Sequence, residues 1–123
     1  NAQIWMDYIA AHNERDFATI AAMNTEDFRG IAAHGEIVEG NAAHAAFLQN
    51  WVAAENPRWQ VWWVIANDGE NADGVMEEWL APGNVVTITG PNGAERRAYE
   101  TIDVLLENGK VKMLNVASQT MPE

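Results

Sequence analysis

The stretch from Glu95 to Gln119 constrains this chain most. Ala98, Tyr99, Thr101, Ile102, Val104, Leu105 and Leu106 form one apolar-rich run, and Val111, Met113, Leu114, Val116 and Ala117 form another. Between them stands Asn108-Gly109. That dipeptide readily takes the left-handed conformations of a two-residue turn, so it predicts a hairpin of two long strands. Asp103 lies in the middle of the first strand, between Ile102 and Val104. A strand interior is a poor place for an aspartate. On a buried face its charge must be paired, hydrogen-bonded or neutralised. On an open face it needs nothing.

The segments before the hairpin predict helices first and strands afterwards. Ile4 to Glu14 reads as an amphipathic helix, with Trp5, Tyr8, Ile9 and His12 on one stripe. Asp16 is a plausible N-cap for a second helix, Phe17 to about Met23. Phe28 to His34 reads as a short strand, and Gly35 to Gly40 as a loop. Asn41 caps a third helix running to about Ala54, with His44, Phe47, Leu48 and Trp51 on its buried stripe. Asn56-Pro57 ends it.

Trp59 to Asn67 is apolar on both faces and reads as a strand covered on both sides. Asn67 to Gly74 reads as a polar loop. Val75 to Thr89 reads as strand, with Pro82-Gly83 as a bulge or edge kink, or alternatively a hairpin turn. Gly90-Pro91-Asn92-Gly93 is a turn. Helices followed by consecutive strands indicate one α+β domain over residues 1–123. Three N-terminal helices would pack on a curved antiparallel sheet, leaving a cone-shaped cavity whose mouth suits a ligand.

Charge and composition narrow the function classes. The net charge of −11 opposes nucleic acid and anionic membrane surfaces, which need Lys and Arg. A small apolar molecule fits better. Absence of cysteine removes disulfides, thiolate metal sites and thiol nucleophiles. His12, His34 and His44 show no metal-ligand spacing, so no metal site is expected. A cytoplasmic location is expected. The chain begins at Asn, so an upstream segment is expected to be missing, and a periplasmic or secreted location after loss of a leader is the alternative.

Three stretches resemble the nuclear-transport-factor-like superfamily of cystatin-like α+β cones. Tyr8 to Phe17 is similar to its first helix and turn. Gly35 to Ala43, followed by Phe47, Leu48 and Trp51, is similar to its loop into the third helix. Ile102 to Val111 is similar to its closing hairpin. The superfamily includes ketosteroid isomerases, SnoaL-like polyketide cyclases, limonene epoxide hydrolases, scytalone dehydratases and non-catalytic members, so the fold leaves the activity open. The resemblance implies cofactor-independent proton transfer on an apolar or polycyclic substrate: isomerisation, cyclisation or dehydration. The alternative is a non-catalytic ligand-binding or dimerisation module.

The same resemblance places Tyr8 at the oxyanion tyrosine of ketosteroid isomerases and Asp103 at their protonated aspartic acid. Where those enzymes carry a carboxylate base, this chain reads Ile31-Ala32-Ala33-His34. His34 is the nearest group able to move a proton, and Glu36 is next. Asp103 as a structural aspartate, Tyr8 as a core tyrosine and His34 as a surface histidine are the competing readings. Trp5, His12, Phe28, Trp51, Trp63, Trp79, Tyr99, Leu105, Leu114 and Val116 are expected to line the cavity. Glu77 and Glu78 are adjacent, so one should point inward as a further acid or base, or pair with Arg96 or Arg97. Trp62 and Trp63 should likewise point to opposite faces. A homodimer through the outer sheet face would cover the outward one.

Overall fold

A stripe of large apolar side chains on the first helix decides how the chain closes. Residues 1–122 are described by a computed structural model. Helix α1 (Ala2–Asn13) buries Trp5, Tyr8, Ile9 and His12 against the sheet, on the stripe that helical periodicity predicts. Helix α2 (Phe17–Met23) starts at Asp16, whose carboxylate accepts hydrogen bonds from Thr19 N at 3.1 Å and Thr19 Oγ1 at 2.7 Å. Strands β1 (Asn24–Ile31) and β2 (Ile37–Glu39) follow, and then helix α3 (Asn41–Glu55). Asn56, at φ +43°, ends α3 in the left-handed conformation, and Pro57 prevents its continuation.

Strands β3 (Arg58–Glu70), β4 (Met76–Thr89), β5 (Glu95–Glu107) and β6 (Lys110–Thr120) form a meander. The six-stranded sheet runs in the order β2-β1-β6-β5-β4-β3, with β1 parallel to β6 and the other pairings antiparallel. The core lies between the helices and the inner sheet face. Trp5, Tyr8, Phe28, Leu80, Val104 and Val111 are its most enclosed apolar members. Among the described residues no helix is long and apolar enough to cross a membrane.

The strands differ from the sequence expectation in four places. Strand β1 spans Asn24–Ile31 rather than 28–34. The loop Gly35 to Gly40 contains β2, because Ile37, Val38 and Glu39 pair with β1. Strand β3 extends through the supposed loop to Glu70, and the turn is confined to residues 71–75. There Asn71 Oδ1 accepts hydrogen bonds from the backbone of Asp73 and Val75. Pro82-Gly83 interrupts nothing. Strand β4 runs straight through it, and the bulge lies in the facing strand β3, between Val61 and Trp63.

That bulge corrects the expectation for the adjacent tryptophans. Val61 and Val64 both pack on the core, so the extra residue leaves Trp62 and Trp63 together on the outer face. They flank Tyr99 at ring separations of 5.9 and 5.6 Å, and each is nearly half exposed. Trp63 lies over Gly83, where any Cβ would stand 2.6 Å from its ring. Glycine is required there by close approach rather than by backbone conformation.

Candidate functional site

The inner face of the sheet carries a carboxylate, but it is not Asp103. Ile102, Val104 and Leu106 alternate inward along β5, and Glu100 belongs to the same set. Asp103 therefore points outward. It sits in a shallow groove of the outer face with Ile65, Asn67, Asp68, Trp79 and Ala81. The expected convergence of Tyr8 and Asp103 does not occur, because the sheet lies between them.

A cavity of about 90 Å³ opens between α1, α3 and the inner sheet face. Its wall is mainly apolar, with Trp5, Phe28, Phe47, Trp51, Trp59, Ile102, Leu114 and Val116. Tyr8, His12, His44, Asn84 and Glu100 supply its polar groups. Of the residues expected to line it, Trp5, His12, Phe28, Trp51, Leu114 and Val116 do so. Trp63, Trp79, Tyr99 and Leu105 do not. Trp79 and Leu105 are cross-strand partners on the outer face, in the parity opposite to Leu80 and Val104. His34 is exposed in the turn between β1 and β2, where Gly35 N donates to Ala32 O. Neither Glu77 nor Glu78 reaches the cavity. Glu78 accepts a hydrogen bond from Asn1, while Arg96 pairs with Glu55 at 3.0 Å.

The polar groups are held in defined states. Glu100 is 5% exposed, and its Oε1 accepts from Trp59 Nε1 at 3.0 Å. Burial pushes its carboxyl up to about 7, with the Trp59 indole and the nearby Asn84 amide opposing the shift. Asn84, directly opposite Glu100 in the ladder, accepts from Trp5 Nε1 at 3.1 Å through Oδ1. Its Nδ2 lies near enough to Glu100 to favour the charged form but closes no hydrogen bond. Trp59 itself is fixed by Asn13, whose side chain donates to Trp59 O and accepts from Trp59 N, both at 2.8 Å.

Two histidines complete the wall. His12 Nδ1 lies 2.7 Å from the carbonyl oxygen of Tyr8, which can only accept, so Nδ1 carries the proton and Nε2 is a bare acceptor. Asn24 turns its Oδ1 to the Tyr8 hydroxyl at 2.7 Å and its Nδ2 to Asn41 Oδ1 and His44 Nδ1. His44 Nδ1 is thus an acceptor, and Nε2 carries its proton. Burial lowers both imidazoles to about 4, so they are neutral at pH 7. Tyr8 lines the cavity with its proton already given to Asn24, and burial raises its hydroxyl above the ordinary tyrosine range. It is not a free oxyanion donor in this geometry.

Chemically, the cavity presents one carboxyl poised to take or release a proton near neutrality, the bare Nε2 of His12, the Nε2–H of His44 and, among the described residues, one fully buried amide donor without a partner. Glu100, Asn84 and Asn24 were absent from the expected site, as were Trp59 and His44, the latter expected only as part of the buried stripe of α3. Strict alternation along β5 outward from Ile102 and Val104 would have found Glu100. No local signal marks Asn84, whose neighbours Val85 and Val86 read as an ordinary strand.

No protein-family model matches the chain, and no curated protein matches it. Solved structures do. A SnoaL-like polyketide cyclase from Agrobacterium tumefaciens superposes with a TM-score of 0.75 at 14% identity, covering 94% of this chain and 88% of that one. SalBIII, an epoxide hydrolase/cyclase-like enzyme with a role in pyran ring formation in the polyether salinomycin, gives 0.74 at 21%, covering 95% and 88%. An NTF2-like protein of unknown function from Cytophaga hutchinsonii gives 0.69 at 12%, covering 96% and 98%. The chain therefore has the NTF2-like α+β cone fold, in the form shared with SnoaL-like and ketosteroid-isomerase-like proteins.

Proposed function

We propose that the cone cavity binds a small apolar molecule and that Glu100 transfers a proton to or from it without a cofactor, in an isomerisation, cyclisation or dehydration. The observation that carries this reading is a single carboxyl, almost fully enclosed by aromatic and aliphatic walls, whose affinity for protons is raised to about 7. Such a group is an effective acid and an effective base near neutral pH. The polyketide cyclase and the epoxide hydrolase/cyclase-like enzyme of the same fold favour the same class of chemistry. A volume of about 90 Å³ has room for roughly half a dozen waters, which favours a single-ring substrate over a polycyclic one.

The test is deuterium incorporation from D2O into the γ-carbon of cyclic β,γ-unsaturated ketones, followed by NMR. In this reaction Glu100 accepts the α-proton, an enolate forms, and a proton returns at the γ-carbon. Catalysed exchange should rise with pH through about 7 and be lost in Glu100→Gln. Ketones that bind without exchange above background would overturn catalysis and leave the second reading, a ligand-binding module. That reading is favoured by the Tyr8 hydroxyl and the His12 Nδ1–H, both already committed inside the protein.

We further propose a homodimer through the outer sheet face. Trp62 and Trp63 are 48% and 45% exposed, beside Ile65 at 57%, on an edge strand of the sheet. A second copy would cover this apolar patch. Light scattering that shows a monomer at micromolar concentration would rule it out.

A further inference from the structure

Asn84 and Glu100 are directly opposed on neighbouring strands, and each is only half used. An indole N–H can only donate, so the contact from Trp5 Nε1 fixes Asn84 with its oxygen toward Trp5 and its NH2 turned away. That NH2 is fully buried and has no partner among the described residues. Glu100 is held in the same manner by Trp59 through Oε1, and among the described residues no side chain donates to its Oε2. Two indoles from different elements, α1 and β3, thus orient two groups that the sheet register brings together. The cavity wall therefore carries an unused donor beside a protonatable oxygen.

We propose that Asn84 is the oxygen-binding subsite of the cavity, donating from Nδ2 to the carbonyl oxygen of a small uncharged ketone whose ring fills the apolar remainder. A buried donor without a partner is costly, so the ligand must bring an acceptor. A carboxylate or phosphate ligand would stand against Glu100 in a chain of net charge −11. A trialkylammonium brings no acceptor and would leave Nδ2 empty. A single ring bearing one oxygen fits the volume. This inference rests on the pocket reading above and adds the residue that recognises the substrate oxygen and sets its carbon skeleton beside Glu100.

The experiment compares cyclohexanone with its shape analogue methylenecyclohexane, on the wild-type chain and on Asn84→Leu, by titration followed in 1H–15N spectra. Cyclohexanone should shift the Asn84 side-chain amide resonances of the wild type, and methylenecyclohexane should not. In Asn84→Leu the ketone should bind about tenfold more weakly relative to the alkene. The ratio removes whatever the variant does to the cavity in general. The spectral shift on the wild type stands even where the variant fails to fold. An unmoved Asn84 amide, an equal loss for both ligands, or a response to trimethylamine alone would overturn the subsite. Ketone binding through Asn84 without deuterium exchange would sink only the catalytic reading, whereas exchange with the amide unmoved would sink only the subsite.

Discussion

Replacing Glu100 with glutamine should change how stability depends on pH, and the sign is opposite to that of an ordinary salt-bridged carboxylate. The Glu100 carboxyl titrates at about 7 in the folded chain and at an ordinary 4.5 when unfolded. Below 4.5 both states hold the proton, and the stabilising contribution is fully present. As pH rises toward 7 the unfolded chain releases its proton while the folded chain retains it, so stability falls. Above 7 the folded chain carries a desolvated carboxylate. At about 1.36 kcal/mol per pKa unit, the whole effect is about 3 kcal/mol, of which about 2.5 kcal/mol falls between pH 5 and 8.5. His12 and His44 act in the other direction. Their values fall from 6.5 to about 4, so their contribution is present above 6.5 and is lost on acidification through 4. These opposed slopes mask one another in the wild type. The difference between Glu100→Gln and wild type cancels the histidine part. Urea denaturation at half-unit pH steps should show the variant gaining about 2.5 kcal/mol on the wild type from pH 5 to pH 8.5. A difference flat to within about 0.5 kcal/mol across that range would refute the burial argument for Glu100.

Other substitutions test the supports of the cavity and of the outer face. Tyr8→Phe should cost about 1–3 kcal/mol, since Asn24 Oδ1 loses its buried donor; an unchanged urea midpoint would show that the Tyr8–Asn24–His44 chain is not held as described. Asn13→Ala removes both anchors of the Trp59 backbone. It should cost about 1–3 kcal/mol and raise the Glu100 titration, followed by 13C NMR of its carboxyl, as the indole donor loosens. Gly83→Ala places a Cβ 2.6 Å from the Trp63 ring and 2.9 Å from the Tyr99 hydroxyl. Trp63 must swing outward, at a cost of about 1–3 kcal/mol with a red-shifted indole emission, and an unshifted spectrum would contradict the close approach of Trp63 to Gly83.

The fold was legible in the sequence where one physical rule acted alone. Trp5, Tyr8, Ile9 and His12 repeat at helical spacing and face the core. Asp16 caps α2, and Asn108-Gly109 turns β5 into β6. Reading failed where the deciding interaction was distant. Ile37 to Glu39 becomes a strand only because β1 offers it an edge, and residues 67–70 remain in β3 only because Glu77, Glu78 and Trp79 run opposite them. The outward placement of both Trp62 and Trp63 depends on a bulge that no residue in β3 announces. Asp103 failed differently. Ile102, Val104 and Leu106 alternate inward, and period-two reading alone puts Asp103 outside and Glu100 inside. A resemblance to the closing hairpin of the isomerases pointed the other way. The local rule won, because turning Asp103 inward would also turn three core residues into solvent.

The buried face that β5 keeps is costly in a way that identifies it. A core could have placed apolar side chains at positions 84 and 100, as it does at 86, 102 and 104. Instead it holds a carboxyl against its desolvation, orients it with one indole, and leaves an amide on the next strand without a partner among the described residues. Neither group ties the sheet together, since the ladder already pairs their backbones. Nor do they close a hydrogen bond with each other, although the Asn84 amide lies near enough to favour the Glu100 carboxylate. The arrangement therefore makes physical sense as a place for something else to bind. Where local rules of burial are broken without compensation inside the protein, the compensation is to be sought in a ligand. Asp103, exposed and in no such conflict, gives no comparable reason to expect one.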